Sequence, residues 1–367
     1  MTVIVVGAVL YLAYANGSND NLKGLATLYG AGTTSYRKVL GVATAAQIAG
    51  SLLALPLAAQ LVQTFSAKGL VPDGVASSPA FLGAAAAGAA STVMLATMLG
   101  LPISTTHALT GALAGAGFAA VGGAVNLSVL GKSFFLPLLV SPVCAMALAM
   151  AAYPLARRLR AVLGVKRASC VCIGEEWVPV VAPAGGVATA ERVRLAVATG
   201  AGCADRYQGR FVGVSVQQGV DALHLVSGAA VCFARALNDT PKIVALLLFA
   251  GSVGARVGLA SVAAAMALGG VFGARKVTET MANKVTSLTP GQGLVASLGT
   301  ALLVLGASRL GLPVSTTHVA TGGLFGIGAA TGELRWRTVL SILTAWVTTL
   351  PLGAALGMVG YLLLRSR

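Results

Sequence analysis

Three consecutive hydroxyl residues occur twice in this strongly apolar chain, as Ser104-Thr105-Thr106 and Ser315-Thr316-Thr317. Each triplet follows a Gly-Leu-Pro-[Ile/Val] segment and precedes a histidine, so Gly100–His107 returns as Gly311–His318, 211 residues later. An Asn-Asp pair precedes each copy. Asp20 of Asn19-Asp20 stands 84 residues before Ser104, and Asp239 of Asn238-Asp239 stands 76 residues before Ser315. Lys23 and Lys242 each follow their aspartate by three residues, which puts acid and base on one helix face. The same motifs in the same order at similar spacing mean an internal duplication.

The residue types suggest anion and cation chemistry. A serine or threonine at a helix start caps free N–H groups, and for one copy capping alone would suffice. Two copies on paired broken helices point further, because a helix start in lipid offers free donors and a positive dipole end. Two such tips meeting would surround a tetrahedral oxyanion. A carboxylate at membrane depth is costly and by default functional. Asp20 and Asp239 could ligate Na+, shuttle a proton, or accept hydrogen bonds from a protonated anion; the plainer alternative is a structural pair with a lysine. Lys23 and Lys242 could snorkel to an interface, neutralise the aspartates, or meet a divalent anion. His107 and His318 read as capping or packing groups. Ser104 and His107 resemble a nucleophile and base, but capping explains both copies, so no enzyme is expected. Glu279 reads as a partner of Arg275 or Lys276.

These residues need a membrane scaffold. The chain is 56% hydrophobic and 10% charged, with mean hydropathy +0.86, more apolar than a soluble domain of this length requires. Val39–Leu61, Phe134–Leu155, Val257–Phe272 and Val339–Leu364 reach or approach spanning length. Met1–Leu12 lacks a basic leader and reads as the start of a helix. The first half predicts helices over Val3–Leu28 and Val39–Gln63, a hairpin of Phe81–Met98 and Thr105–Ala120, and a helix over Phe134–Leu155. The second half predicts Val220–Phe249, Val257–Phe272, a hairpin of Gly293–Leu310 and Thr316–Ala330, and Val339–Leu364. The hairpin arms are short and broken before proline, as re-entrant segments covered by protein are.

The expected fold class is therefore an all-α polytopic membrane protein with two inverted-topology repeats. Each repeat has three transmembrane helices plus a re-entrant helical hairpin. An odd number of crossings turns the halves opposite ways. The net charge of +15 then falls on inner loops, through Arg37, Lys38, the 157–167 cluster, Arg275, Lys276, Lys284, Arg335 and Arg337. No basic patch is interleaved with aromatics, so nucleic acid is not the expected partner. The predicted organisation is membrane repeat 1 over 1–156, a small partly β cytoplasmic insert over 157–219, and membrane repeat 2 over 220–367. Trp177–Val181, Val193–Val197 and Phe211–Val216 supply the β-formers. The five cysteines predict no disulfide framework. Cys144 and Cys232 read as small buried hydrophobes, and Cys170, Cys172 and Cys203 form an incomplete metal pattern.

The pairing of a Gly-x-Asn-Asp-like helix with Gly-Leu-Pro-[Ile/Val]-Ser-Thr-Thr-His, twice, resembles the PiT family of inorganic phosphate transporters. Lys276–Pro290 and Ala307–Gly328 are similar to it as well. The resemblance covers about 1–155 and 220–367 but not the 166–218 insert. It implies a Na+- or proton-coupled phosphate symporter working by alternating access, and a homodimer. Carried over by motif position, Ser104, Thr105, Thr106, Ser315, Thr316 and Thr317 would bind the anion. Asn19, Asp20, Asn238 and Asp239 would form the cation and anion sites. The chain departs from the family pattern at Lys23 and Lys242, where a later Asn is usual. An ammonium there would repel Na+ or stand in for it. The resulting expectation is a phosphate transporter of the plasma (inner) membrane with both termini outside. Lys23 and Lys242 would join the substrate site, Asp20 and Asp239 would couple ions, and no cofactor or metal is expected apart from Na+ or H+ as coupling ion. Sulfate or another tetrahedral oxyanion, carried by proton coupling or exchange, and a non-transporting anion sensor are the alternatives.

Overall fold

The computed structural model describes residues 1–166, 168–181, 187–251, 253–283 and 288–366. Arg167 and Lys284, counted above among the inner-loop charges, lie outside the described residues, as do Arg367 and part of the Lys276–Pro290 resemblance. The side chain of Trp177 also lies outside the description.

The first half runs α1 Thr2–Asp20, α2 Ala26–Gly30, α3 Tyr36–Leu52, α4 Ala54–Thr64, α5 Asp73–Ala76, α6 Pro79–Met98 and α7 Thr105–Val121. Then α8 Leu127–Val129 winds through a π-helical stretch into α9 Leu136–Val162. The insert holds β1 Ser169–Val181, β2 Val187–Thr199, α10 Gly200–Arg206 and β3 Phe211–Ser215. The second half runs α11 Val216–Phe249, α12 Ala255–Gly273, α13 Arg275–Asn283, α14 Pro290–Arg309, α15 Thr316–Thr331 and α16 Trp336–Leu364. Among the described residues, seven helices are long and apolar enough to cross a bilayer, or eight if the bent α3–α4 pair counts as one span. At 17 and 16 residues, α7 and α15 are too short to be counted among them.

Two expected helices are broken. The helix predicted over Val3–Leu28 stops at Asp20, and short i→i−3 bonds (Lys23 N–H to Asp20 O, 3.3 Å; Leu25 N–H to Leu22 O, 3.0 Å) carry the chain to α2. Gly24 allows this turn to lie against α11, since a Cβ there would come within 2.5 Å of Gly228 O. The helix predicted over Val39–Gln63 bends by 70° between α3 and α4, just ahead of Pro56, which cannot donate to the ladder. α13 has no counterpart in the sequence reading.

The hairpin turns repeat atom for atom. Gly100 and Gly311 take φ +71° and +68°, a conformation natural only to glycine. The next amides close matching bonds of 2.9 Å, Leu101 N–H to Ala96 O and Leu312 N–H to Ala307 O, the 6→1 closure of a left-handed helix end. Ser104 and Ser315 then start the second arms, each accepting a 3.1 Å bond from the histidine amide three residues on. α16 packs along both arms of the first hairpin, and α1 lies between α6 and α12. Their contact surface is mostly Ala, Val and Leu, buried as one core.

The chain divides into two compact units, 1–153 with 225–367, and 154–224. In the smaller unit β1 is central in an antiparallel sheet of order β2-β1-β3. The sequence reading expected no disulfide framework, yet Cys172 and Cys203 are bonded. Residue 172 lies on the central strand and 203 on α10, which brings their Cα atoms to 6.2 Å, within disulfide reach. Cys170 remains a buried thiol beside them, and Cys144 is exposed rather than buried.

Candidate functional site

The two Asn-Asp motifs and the two hydroxyl triplets converge inside the larger unit. All twelve residues singled out from the sequence are buried there. Lys23 Nζ donates to Asn19 Oδ1 (2.9 Å), Ile103 O (2.8 Å) and Thr317 Oγ1 (2.6 Å), and it pairs with Asp20. Lys242 Nζ donates to Val314 O (3.0 Å), Thr106 Oγ1 (2.7 Å) and Asp239 Oδ1 (3.2 Å), and also to Asn238 Oδ1. The two sets match, with each ammonium meeting one amide oxygen, one carboxylate, one main-chain carbonyl and one hydroxyl. In both cases the carbonyl belongs to the hairpin of the same half and the hydroxyl to the other.

The asparagines anchor this arrangement. Asn19 Nδ2 donates to Thr97 Oγ1, and Asn238 Nδ2 donates to Ser308 Oγ, both at 2.8 Å. Thr97 and Ser308 hold matching places at the ends of α6 and α14. The hairpin tips also touch directly, through Thr317 Oγ1 to Ile103 O (2.9 Å) and Thr106 Oγ1 to Val314 O (3.4 Å). The serine hydroxyls act as caps, as the simpler reading of the motif had it. The threonines carry the cross-links.

The halves differ around the carboxylates. Asn16 Nδ2 lies 3.1 Å from Asp20 Oδ2, 3.1 Å from Asp239 Oδ2 and 3.0 Å from Thr105 Oγ1. Thr105 also donates to Asp20 Oδ2 at 3.0 Å. In the second half the place of Asn16, four residues before the aspartate, is taken by Arg235. Its Nη1 donates to Asn16 Oδ1 at 2.9 Å and its Nη2 to Asn21 Oδ1 at 3.4 Å. Asn16 and Arg235 were missed from the sequence. A polar residue one turn before each Asp was the available signal, but the two differ in type, so a search for repeated identities passes over them.

His107 and His318 meet edge to face with ring centroids 4.2 Å apart, and His318 stacks on Trp346 at 3.7 Å. They pack the hairpins together, one turn below the tips. Glu279 pairs with Arg275 at 2.9 Å on the exposed side of α13. A narrow cleft reaches Lys23, lined by Thr27, Met281, Ser297, Thr300 and Leu324 among others. A second cavity shares Thr27, Met281 and Leu324 with it and continues past Gly30 and Ala282.

Paired broken helices that bring hydroxyls, acids and bases together at membrane depth define a multi-pass membrane transporter, a class in which sites lie between such helices. The chain belongs to the phosphate transporter family, whose pattern matches residues 16–357; its members are transporters, not enzymes, and phosphate is their substrate. A probable low-affinity inorganic phosphate transporter of Bacillus subtilis (strain 168) is 25% identical over 367 residues, covering 99% of this chain and 97% of that one. A protein of the same description from Rhizobium meliloti (strain 1021) is 37% identical over 150 residues, covering 38% and 45%. The chloroplastic inorganic phosphate transporter 2-1 of Arabidopsis thaliana is 27% identical over 414 residues, covering 95% and 70%. Among solved structures, one titled the sodium-dependent phosphate transporter superposes with a TM-score of 0.77 at 20% identity, covering 100% of this chain and 99% of that one. That likeness shows a shared fold.

Proposed function

We propose that this protein moves inorganic phosphate across the membrane without Na+, with the ammonium groups of Lys23 and Lys242 standing in for two bound cations. The observation that carries this reading is the oxygen set around each Nζ. A carboxylate, an amide oxygen, a main-chain carbonyl and a hydroxyl, most at 2.6–3.2 Å, are the hard donors that bind simple cations, and transporters build them from unwound backbone. A tethered ammonium fills such a nest permanently. The sodium dependence of the solved neighbour therefore does not carry over to this chain.

The anion is held by the threonine hydroxyls, the helix starts of α7 and α15, and the two ammonium groups. It arrives through the cleft beside Lys23, where Thr27, Ser297 and Thr300 supply hydroxyls. Asp20 and Asp239 hold the lysines in place. The loop charges put the insert in the cytoplasm and both termini outside, in a two-repeat inverted arrangement of the plasma membrane. The protein works as a homodimer.

The test is uptake of radiolabelled phosphate into phosphate-loaded proteoliposomes, with Na+ and proton gradients imposed separately. Uptake that ignores Na+ is the expected result. Uptake driven by a Na+ gradient would overturn the lysine assignment. Uptake of sulfate in preference to phosphate would overturn the substrate.

A further inference from the structure

The charges of the site do not cancel. Lys23 pairs with Asp20 and Lys242 with Asp239. Each pair is neutral in sum, whether its proton rests on nitrogen or on oxygen. Arg235 is left over. Its side chain is among the largest fully buried ones in the protein, and guanidinium keeps its proton in proteins. Among the described residues no carboxylate lies within ion-pair distance of it. Its hydrogen-bond partners are the neutral Asn16 and Asn21, and its buried Nε has none. The other titratable groups around the site are His107 on α7, His318 on α15 and Cys232 on α11, none of which is an acid that could balance it.

From this we infer that Arg235 makes the protein an obligate anion exchanger, an inference that rests on the phosphate reading above. In a carrier whose cations come from solution, the cations leave with the substrate and the empty site resets. Here all three cations are covalently attached. The empty site keeps one uncompensated positive charge, and any rearrangement that switches access carries this charge through a low-dielectric interior, where an unpaired charge is strongly disfavoured. A bound oxyanion compensates it. The loaded site therefore switches access readily and the empty one does not, so one anion enters as another leaves. The countersubstrate is a second tetrahedral oxyanion, inorganic phosphate itself in the simplest case. The asymmetry with Asn16 is part of the device, since a second arginine would leave two charges to compensate.

The experiment compares initial rates of labelled phosphate uptake into proteoliposomes loaded with unlabelled phosphate or with gluconate. Potassium and valinomycin clamp the potential. The wild type should take up phosphate at least about tenfold faster into phosphate-loaded vesicles, a ratio corresponding to about 1.4 kcal/mol between the two switching barriers. Arg235→Lys keeps the charge and should keep the ratio. Arg235→Gln removes the charge and should bring it close to one. Equal wild-type rates into the two kinds of vesicle would overturn the exchange inference while leaving phosphate transport intact, and this arm decides the matter even if a variant fails to fold. An Arg235→Gln protein that still needs internal phosphate would overturn the role given to Arg235. No uptake into either vesicle, with no phosphate binding in detergent, would overturn the phosphate reading and this inference with it.

Discussion

Lys23 Nζ donates a 2.6 Å hydrogen bond to Thr317 Oγ1, joining residues 294 positions apart. Its counterpart, Lys242 to Thr106, spans the other way at 2.7 Å. Each half of the molecule thus contributes an ammonium that closes on the other half's hairpin. Replacing both lysines by asparagine vacates two nests of oxygen atoms and leaves Asp20 and Asp239 without their ammonium partners. Phosphate uptake by the Lys23→Asn/Lys242→Asn protein should become dependent on Na+, and Na+ should raise its melting temperature in detergent. Neither effect is expected in the wild type. A double variant that binds phosphate yet stays indifferent to Na+ would refute the stand-in role of the ammonium groups.

Removing one acid tests the pairing from the other side. Asp20→Asn leaves the Lys23 ammonium buried with neutral partners only, and breaking a buried ion pair in this way costs about 3–5 kcal/mol. Asp20→Asn/Lys23→Met removes the charges together and should recover most of that stability, because the desolvation cost disappears with them. Thermal unfolding in detergent reports the difference. Phosphate uptake should be lost in both proteins, by about 100-fold or more, since the double variant also lacks the ammonium that meets the anion.

The hydroxyls flanking the carboxylates are not equivalent. Thr105 Oγ1 donates to Asp20 Oδ2 and accepts from Asn16. Thr316, at the matching place on α15, has neither link, because Arg235 stands where the second half would need an asparagine. Thr105→Val removes one of the two hydrogen bonds that Asp20 Oδ2 accepts, the other coming from Asn16, and a hydrogen bond to a charged group is worth about 1.5–3 kcal/mol. Thr316→Val should cost less than about 1 kcal/mol. Equal losses of stability would mean that the Asn16 bridge contributes nothing.

What the sequence made legible follows from what was duplicated. The tips, the Asn-Asp motifs and the lysines recur as identical residue types, so their convergence could be read from spacing alone. Asn16 and Arg235 occupy one structural place with two chemistries, and no repeated letter marks them. The hairpin turns were visible through Gly-Leu-Pro, because positive φ at Gly100 and Gly311 needs glycine. The stop of α1 at Asp20 was hidden. Leu22 and Leu25 continue the apolar run, and the lysine does not itself demand a turn, since Lys242 meets a matching oxygen set from within the unbroken α11. The bend ahead of Pro56 was readable in principle but lay inside a run long enough to pass as one span. The Cys172–Cys203 bond depends on where α10 folds back over β1, which spacing does not specify.

The position of α1 is itself set by two glycines, and the last prediction concerns them. A Cβ at Gly17 would come within 1.9 Å of Met266 O on α12, and one at Gly269 within 1.9 Å of Tyr14 O on α1. The two helices therefore approach backbone to backbone from both sides, as small residues allow in lipid. Alanine is the better helix former by about 1 kcal/mol. At Gly17 and Gly269 that gain is outweighed, because overpacking a tight contact costs about 1–3 kcal/mol and backbone atoms cannot step aside as side chains do. Gly7, also on α1, has open space where a Cβ would go. Gly7→Ala should therefore raise the melting temperature slightly, while Gly17→Ala and Gly269→Ala lower it. Since α1 carries Asn16, Asn19 and Asp20, either destabilised variant that still folds should also bind phosphate more weakly, as α1 is pushed off α12 and the bridge to Asp239 opens. Retained affinity with a lowered melting temperature would show that the site is held by the hairpins alone and that the α1–α12 contact serves only the fold.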